Sequence, residues 1–175
     1  MPDLHPVLAV LLAAVVVMTA VWWLQVRTRN AGYVDVAWAA LMGLAAIWYA
    51  YVGDGARVPR VVVGVLGAAW GFRLALHLMH RVSNEPEDGR YRHLREHWQG
   101  DQRRFFGFFM FQAALTALFS VPFFVASRNP VEDVTQWTIV AIAIWLVAIG
   151  GETVADRQLA RFRAEPANRG TTCRT

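Results

Sequence analysis

PVLAVLLAAVVVMTAVWWLQV, Pro6 to Val26, runs for 21 residues without a charged side chain. As an α-helix rising ~1.5 Å per residue it reaches the ~30 Å needed to cross the hydrocarbon layer of a bilayer. Its apolar residues surround the helix instead of forming one stripe, a pattern a water-facing helix does not carry. The run is too long for the apolar segment of a secretory signal. The short flank before it holds Asp3 rather than basic residues, so it reads as a retained transmembrane helix.

Four further apolar runs follow, at Tyr33–Val52, Val58–Val82, Phe105–Ala126 and Trp137–Asp156. Helix breakers and polar residues separate them: Arg27 to Gly32, Gly53-Asp54-Gly55, the long stretch Ser83–Arg104, and Ser127-Arg128-Asn129-Pro130. Of the 175 residues 56% are hydrophobic, the mean hydropathy is +0.32, and the charges crowd into the intervals. The expected fold is all-α, an integral membrane helical bundle of about five transmembrane helices forming a single domain over residues 1–175.

All 17 basic residues are Arg. One set of loop sides holds Arg27, Arg29, Arg81, Arg90, Arg92, Arg95, Arg103, Arg104 and the C-terminal Arg157, Arg161, Arg163, Arg169 and Arg174; the other holds Arg57, Arg60 and Arg128. Positive charge stays in the cytoplasm, so the N-terminus is expected outside, with Ser83–Arg104 and the C-terminus inside. Anionic headgroups account for most of the net charge of +4, which calls for no nucleic-acid partner. The lone Cys173 excludes an intrachain disulfide framework.

Ionisable residues inside the runs carry the functional information, because charge at membrane depth faces a partner or a water-filled cavity. Arg73 lies within the third run, with His77 and Arg81 further along the same face. Asp35 lies near the cytoplasmic start of the second run, and Glu152, Asp156, Leu159 and Arg163 make one helical face at the end of the fifth. Helix alternation puts all of them in the inner half of the membrane, where they are expected to line one inward-opening cavity. Each also has a plainer reading. Arg73 can snorkel to the headgroups, Asp35 can balance Arg73 as a buried pair, and the alternating charges of Glu85, Glu87, Asp88, Arg90 and Arg92 suit a solvated loop. No His-Glu-x-x-His spacing is present, so no metal is expected.

Three blocks in order carry a resemblance: Gly32-Tyr33-Val34-Asp35-Val36-Ala37-Trp38-Ala39; Glu87-Asp88-Gly89-Arg90-Tyr91 with Leu94-Arg95; and Gly151-Glu152-Thr153-Val154-Ala155-Asp156-Arg157-Gln158-Leu159 followed by Phe162-Arg163 and Pro166-Ala167-Asn168-Arg169-Gly170. Together they resemble a bacterial membrane family of unknown function in the steroid 5-alpha-reductase-like superfamily. The resemblance implies a multi-pass protein of the cell inner (plasma) membrane, an oxidoreductase acting on CH-CH groups. It would take a hydride from NADPH and deliver it to an activated carbon–carbon double bond of a lipophilic small-molecule substrate. By the same resemblance Asp156 and Arg163 fall on cofactor-contacting positions, Arg73 matches an Arg lining the cofactor cavity, and Glu152 stands where the steroid enzymes carry Asn. Asn168 belongs to the same cofactor-binding set.

Hydride transfer to an enone builds charge on the carbonyl oxygen and needs a proton donor, while the cofactor phosphates need guanidinium groups. Asp35 and Tyr91 are the catalytic candidates, with Tyr33 a second phenol. Family members continue past Asn168-Arg169-Gly170 into a segment resembling Gly-Leu-Trp-x-x-Ser/Thr-Arg-His-Pro-Asn-Tyr. The chain ends at Thr175, so it reads as the front part of a longer protein and is expected not to turn over NADPH alone. Two other readings stand beside the reductase: a non-catalytic structural protein that binds membrane lipid or a partner, and a transporter fragment with Arg73 and Asp35 on its pathway. The second lacks paired broken-helix signals.

Overall fold

The computed structural model describes residues 4–168, Thr171 and Cys173. Six α-helices follow one another: α1 His5–Thr28, α2 Tyr33–Val52, α3 Arg57–Asn84, α4 Gly89–His97, α5 Gln102–Ala126 and α6 Gln136–Ala164, the last followed by a 3-10 turn at Pro166–Asn168. All but α4 are long and apolar enough to cross a membrane, and the described residues include no strand. The protein is a helical membrane bundle.

Local chemistry sets the helix ends. Asp88 Oδ1 accepts the Arg90 amide at the start of α4, Asp101 Oδ1 accepts the Arg103 amide at the start of α5, and Thr135 Oγ1 accepts the Thr138 amide at the start of α6. α1 ends where Arg29 turns left-handed and its amide returns to Gln25 O at 2.8 Å. α6 runs on past the apolar run to Ala164, as the shared helical face of Glu152, Asp156, Leu159 and Arg163 requires, and Arg161 and Arg163 suit the negative end of its dipole. One expectation differs. The stretch Ser83–Arg104 contains α4 instead of being a loop throughout.

The chain forms two compact units, residues 1–132 and 133–175. In the first, α2 is central and packs on α3, α1 and α5. Its contact with α3 is a seam of small residues. A Cβ placed on Gly71 would stand 2.6 Å from Gly43 N and 2.8 Å from Ala39 O, and one on Gly64 would stand 2.8 Å from the Ala50 methyl. In lipid, where apolar burial gives no drive between helices, such close approach is what holds them together. α1 meets α5 through Ala14, Met18, Phe105, Phe109 and Ala113, all buried.

The two ends of the first unit differ. At one, the Gly55 amide donates to Ser127 O at 3.2 Å, the Ala56 amide to Asn129 O at 2.8 Å, and Arg128 pairs with Asp54 at 2.8 Å. At the other, α4 folds back over the end of α1 and the starts of α2 and α5. In the second unit α6 has no buried residue and is apolar on every side over most of its length; Trp137 is 73% exposed.

Candidate functional site: a polar cluster under the short fourth helix

α4 has a dry face and a wet face. Tyr91 is 4% exposed and packs with Phe108 and Trp98 against the core, while Arg92, His93 and His97 face outward. The dry face carries polar groups onto the helix ends beneath it. The Tyr91 hydroxyl donates to Asp35 Oδ1 at 2.6 Å, and Arg90 Nη2 donates to Asp35 Oδ2 at 3.2 Å. The Arg90 Nε also donates to Asp88 Oδ1 at 3.2 Å, and Asp88 Oδ2 takes Arg81 of α3. The result is an alternating chain of charges, Arg81, Asp88, Arg90 and Asp35, closed by a phenol.

A second set lies alongside. Glu87 Oε1 accepts the Ala31 amide at 2.8 Å and Arg95 Nη2 at 2.7 Å. Arg95 reaches Gln25 Oε1 at 3.3 Å, and Gln25, wholly buried, donates to Gln102 Oε1 at 2.7 Å. Between α1 and α2 the chain turns in four residues and leaves backbone donors outside either helix; Glu87 satisfies that of the buried Ala31 from 56 residues away.

Burial sets the proton affinities. Burial and the adjacent Asp35 carboxylate push the Tyr91 phenol well above its ordinary value, so the proton stays on the phenol at neutral pH. Burial works against ionised Asp88, but the Arg90 amide and guanidinium, with Arg81, outweigh it and lower its pKa. Burial also opposes the charge on Arg90, and the Asp35 and Asp88 carboxylates overcome it and raise its pKa. Beside this chain is a cleft of about 20 Å³, walled by Gly32, Asp35, Arg81 and Asp88 among others. It has room for one water and no more.

The structure therefore brings Asp35 and Tyr91 together. The Asp35 carboxylate is met by Tyr91 and Arg90 of α4, which is folded onto it. Arg73 sits deeper in α3, half-buried, two residues past the tight Gly71 contact, and does not line the cleft. In the second unit Glu152 and Asp156 are half-exposed and Arg163 exposed along α6. The Asn168 amide donates to Phe162 O at 2.9 Å and so closes the C-terminus of α6. Arg169, Gly170 and Arg174 lie outside the described residues. No cluster of three or more metal-ligating side chains occurs among the described residues.

Glu87 and Asp88, which the charge pattern assigned to a solvated loop, are only 13% and 20% exposed at their side chains. Gln25 and Gln102 escaped the sequence reading altogether. A lone amide near the end of an otherwise apolar run was the available signal, since such a group needs a partner in lipid.

An all-helical membrane bundle with a carboxylate, phenol and guanidinium cluster closing one end is the class that fold and site define. The chain belongs to the family described as "Protein of unknown function (DUF1295)", whose model matches residues 21–175. No match was found among curated proteins or among solved structures.

Proposed function

We propose that this protein is a membrane-embedded, NADPH-dependent reductase of a carbon–carbon double bond in a lipophilic substrate, in the cell inner membrane, working from the side that carries α4. The observation that carries the reading is the 2.6 Å contact between Tyr91 and Asp35, which joins two of the three sequence blocks resembling the reductase superfamily. The donor set fits the cofactor in kind. Arg73 on α3 is proposed as a phosphate ligand, and Glu152, Asp156 and Arg163, on one face of α6, offer carboxylates for ribose hydroxyls and a guanidinium for phosphate, with Asn168 at the end of that helix. NADPH supplies the hydride.

The residues of the chain manage the proton. Reduction of an enone places negative charge on its carbonyl oxygen, and a donor aimed at that oxygen lowers the barrier. Tyr91 holds such a proton, given to Asp35 Oδ1 in this structure; to serve the reaction the O–H turns from Asp35 to the carbonyl oxygen, while Arg90 balances the carboxylate it leaves. The phenolate left after donation regains a proton readily, because the surroundings of Tyr91 favour its neutral form.

One observation favours the non-catalytic alternative. Tyr91 is 4% exposed and the adjoining cleft admits one water, as suits a latch that closes the bundle. The two readings separate in membrane vesicles supplied with NADPH and a panel of α,β-unsaturated ketones. In the chain joined to the family's C-terminal segment, the reductase reading expects NADPH oxidation that Tyr91→Phe abolishes without loss of NADPH binding, and binding that Arg163→Ala weakens, with no turnover by the 175-residue chain alone. Failure of the joined protein to bind NADPH at all would leave the latch as the whole role of the cluster.

A further inference from the structure

Away from α4, in the other half of the first unit, α1 and α2 part and leave an open groove of about 360 Å³. Ala9, Ala13 and Val17 form one wall and Leu41, Leu44 and Trp48 the other. The cause is local. Alanines at 9 and 13 present only methyl groups, while Ala14 and Met18 on another face hold α1 against α5. The groove lies on a different face of α2 from Asp35 and is independent of the proposed reaction.

The groove is apolar along its length, so water finds no hydrogen-bond partners there and hydrocarbon must fill it. It runs from the middle of both helices to their far end, where the Trp48 indole donates to Pro6 O at 3.2 Å beside the exposed Tyr51. Such aromatics mark the headgroup level. From Ala9 to Val17 the wall is ~12 Å long, close to the ~15 Å hydrocarbon depth of one leaflet. A helix of that length, about 10 Å across, would need roughly 900 Å³, far more than the groove offers. A single unbranched chain does not.

We infer that the groove between α1 and α2 is a binding site for one acyl chain of a bilayer phospholipid, from the leaflet opposite α4, with its headgroup at the level of Trp48.

The test uses the full chain in phosphatidylcholine vesicles containing a fraction of phosphatidylcholine with a diazirine midway along one acyl chain. After irradiation, adducts are mapped by mass spectrometry. Leu41, Leu44 and Val17 should be labelled several-fold above Val65 and Leu118, which are 59% and 60% exposed in the same half of the unit. Ala9→Leu and Ala13→Leu, both at exposed positions, fill the groove and should bring labelling down to that of the controls while the melting temperature is retained. Uniform labelling of all lipid-facing positions overturns the inference, as does an excess that survives both filled variants. Labelling by a diazirine fatty acid but not by the phospholipid overturns the assignment to phospholipid. Chain-to-chain cross-links at Ala13 in place of lipid adducts would make the groove an interface between two copies.

Discussion

Replacing Tyr91 by Phe removes one oxygen from a packed ring and leaves Asp35 Oδ1 without its donor. A hydrogen bond to an ionised acceptor contributes about 1.5–3 kcal/mol. Asp35 is 32% exposed, so water partly replaces the phenol, which places the expected loss at the lower end, about 1.5–2 kcal/mol. Arg90 meets the same carboxylate at 3.2 Å with a side chain 67% exposed, and pairs of that kind contribute about 0–1 kcal/mol. The neutral partner is thus expected to matter more than the charged one. Equilibrium unfolding of the protein in bicelles, followed by tryptophan fluorescence, should show Tyr91→Phe lowering the folding equilibrium constant about 10–30-fold and Arg90→Ala less than about fivefold. Combining Tyr91→Phe with Asp35→Asn should cost less than the sum of the two, since both remove one interaction. A larger cost for Arg90→Ala than for Tyr91→Phe would refute the reasoning, because charge and not the buried phenol would then hold Asp35.

Glu87→Ala takes the acceptor from both Arg95 and the Ala31 amide and should cost about 2–3 kcal/mol, with faster proteolysis between residues 83 and 104 as the readout. Gly71→Val drives side-chain atoms into the backbone of α2 and should separate α2 from α3, seen as loss of a disulfide trapped between cysteines placed on the two helices; unchanged trapping would contradict the seam. The folded-state pKa of Asp88 is lowered, so its contribution is present above its unfolded value, near pH 4, and is lost as pH falls through the folded value. Tyr91 has a raised pKa, so its contribution is full below its unfolded value and declines above about pH 10. Protection factors in α4, which divide out the intrinsic pH dependence of amide exchange, should therefore fall at both extremes, while a fall in acid alone would remove Tyr91 from the latch. Reporter fusions after Gly55 and after Gly100 should behave as external and internal; the reverse pattern would invert the membrane orientation.

Five apolar runs and their polar intervals were enough to show that this chain spans a membrane as helices. Lipid imposes that result on each segment separately, because backbone polar groups in hydrocarbon must be satisfied within the segment. The same locality explains why Asp35, Arg73 and Glu152 stood out as ionisable groups in apolar surroundings. Partnership was not legible in this way. Whether Asp35 faced Arg73 or something else depended on α4 folding back, and α4 is too short and too charged to announce itself by periodicity. Its position comes from contacts with residues 55 to 70 places distant, Asp35 with Arg90 and Tyr91 and Gln25 with Arg95, and from Glu87 just before it, which holds the Ala31 amide. The seam of Gly64, Gly67 and Gly71 was likewise present in the sequence as mere small residues; only the approach of α2 turned them into a contact surface. The sequence by itself thus determined each membrane helix, through solvation of its own backbone, whereas the tertiary structure alone decided which polar groups meet, because hydrogen bonds between distant segments form only once the helices have packed.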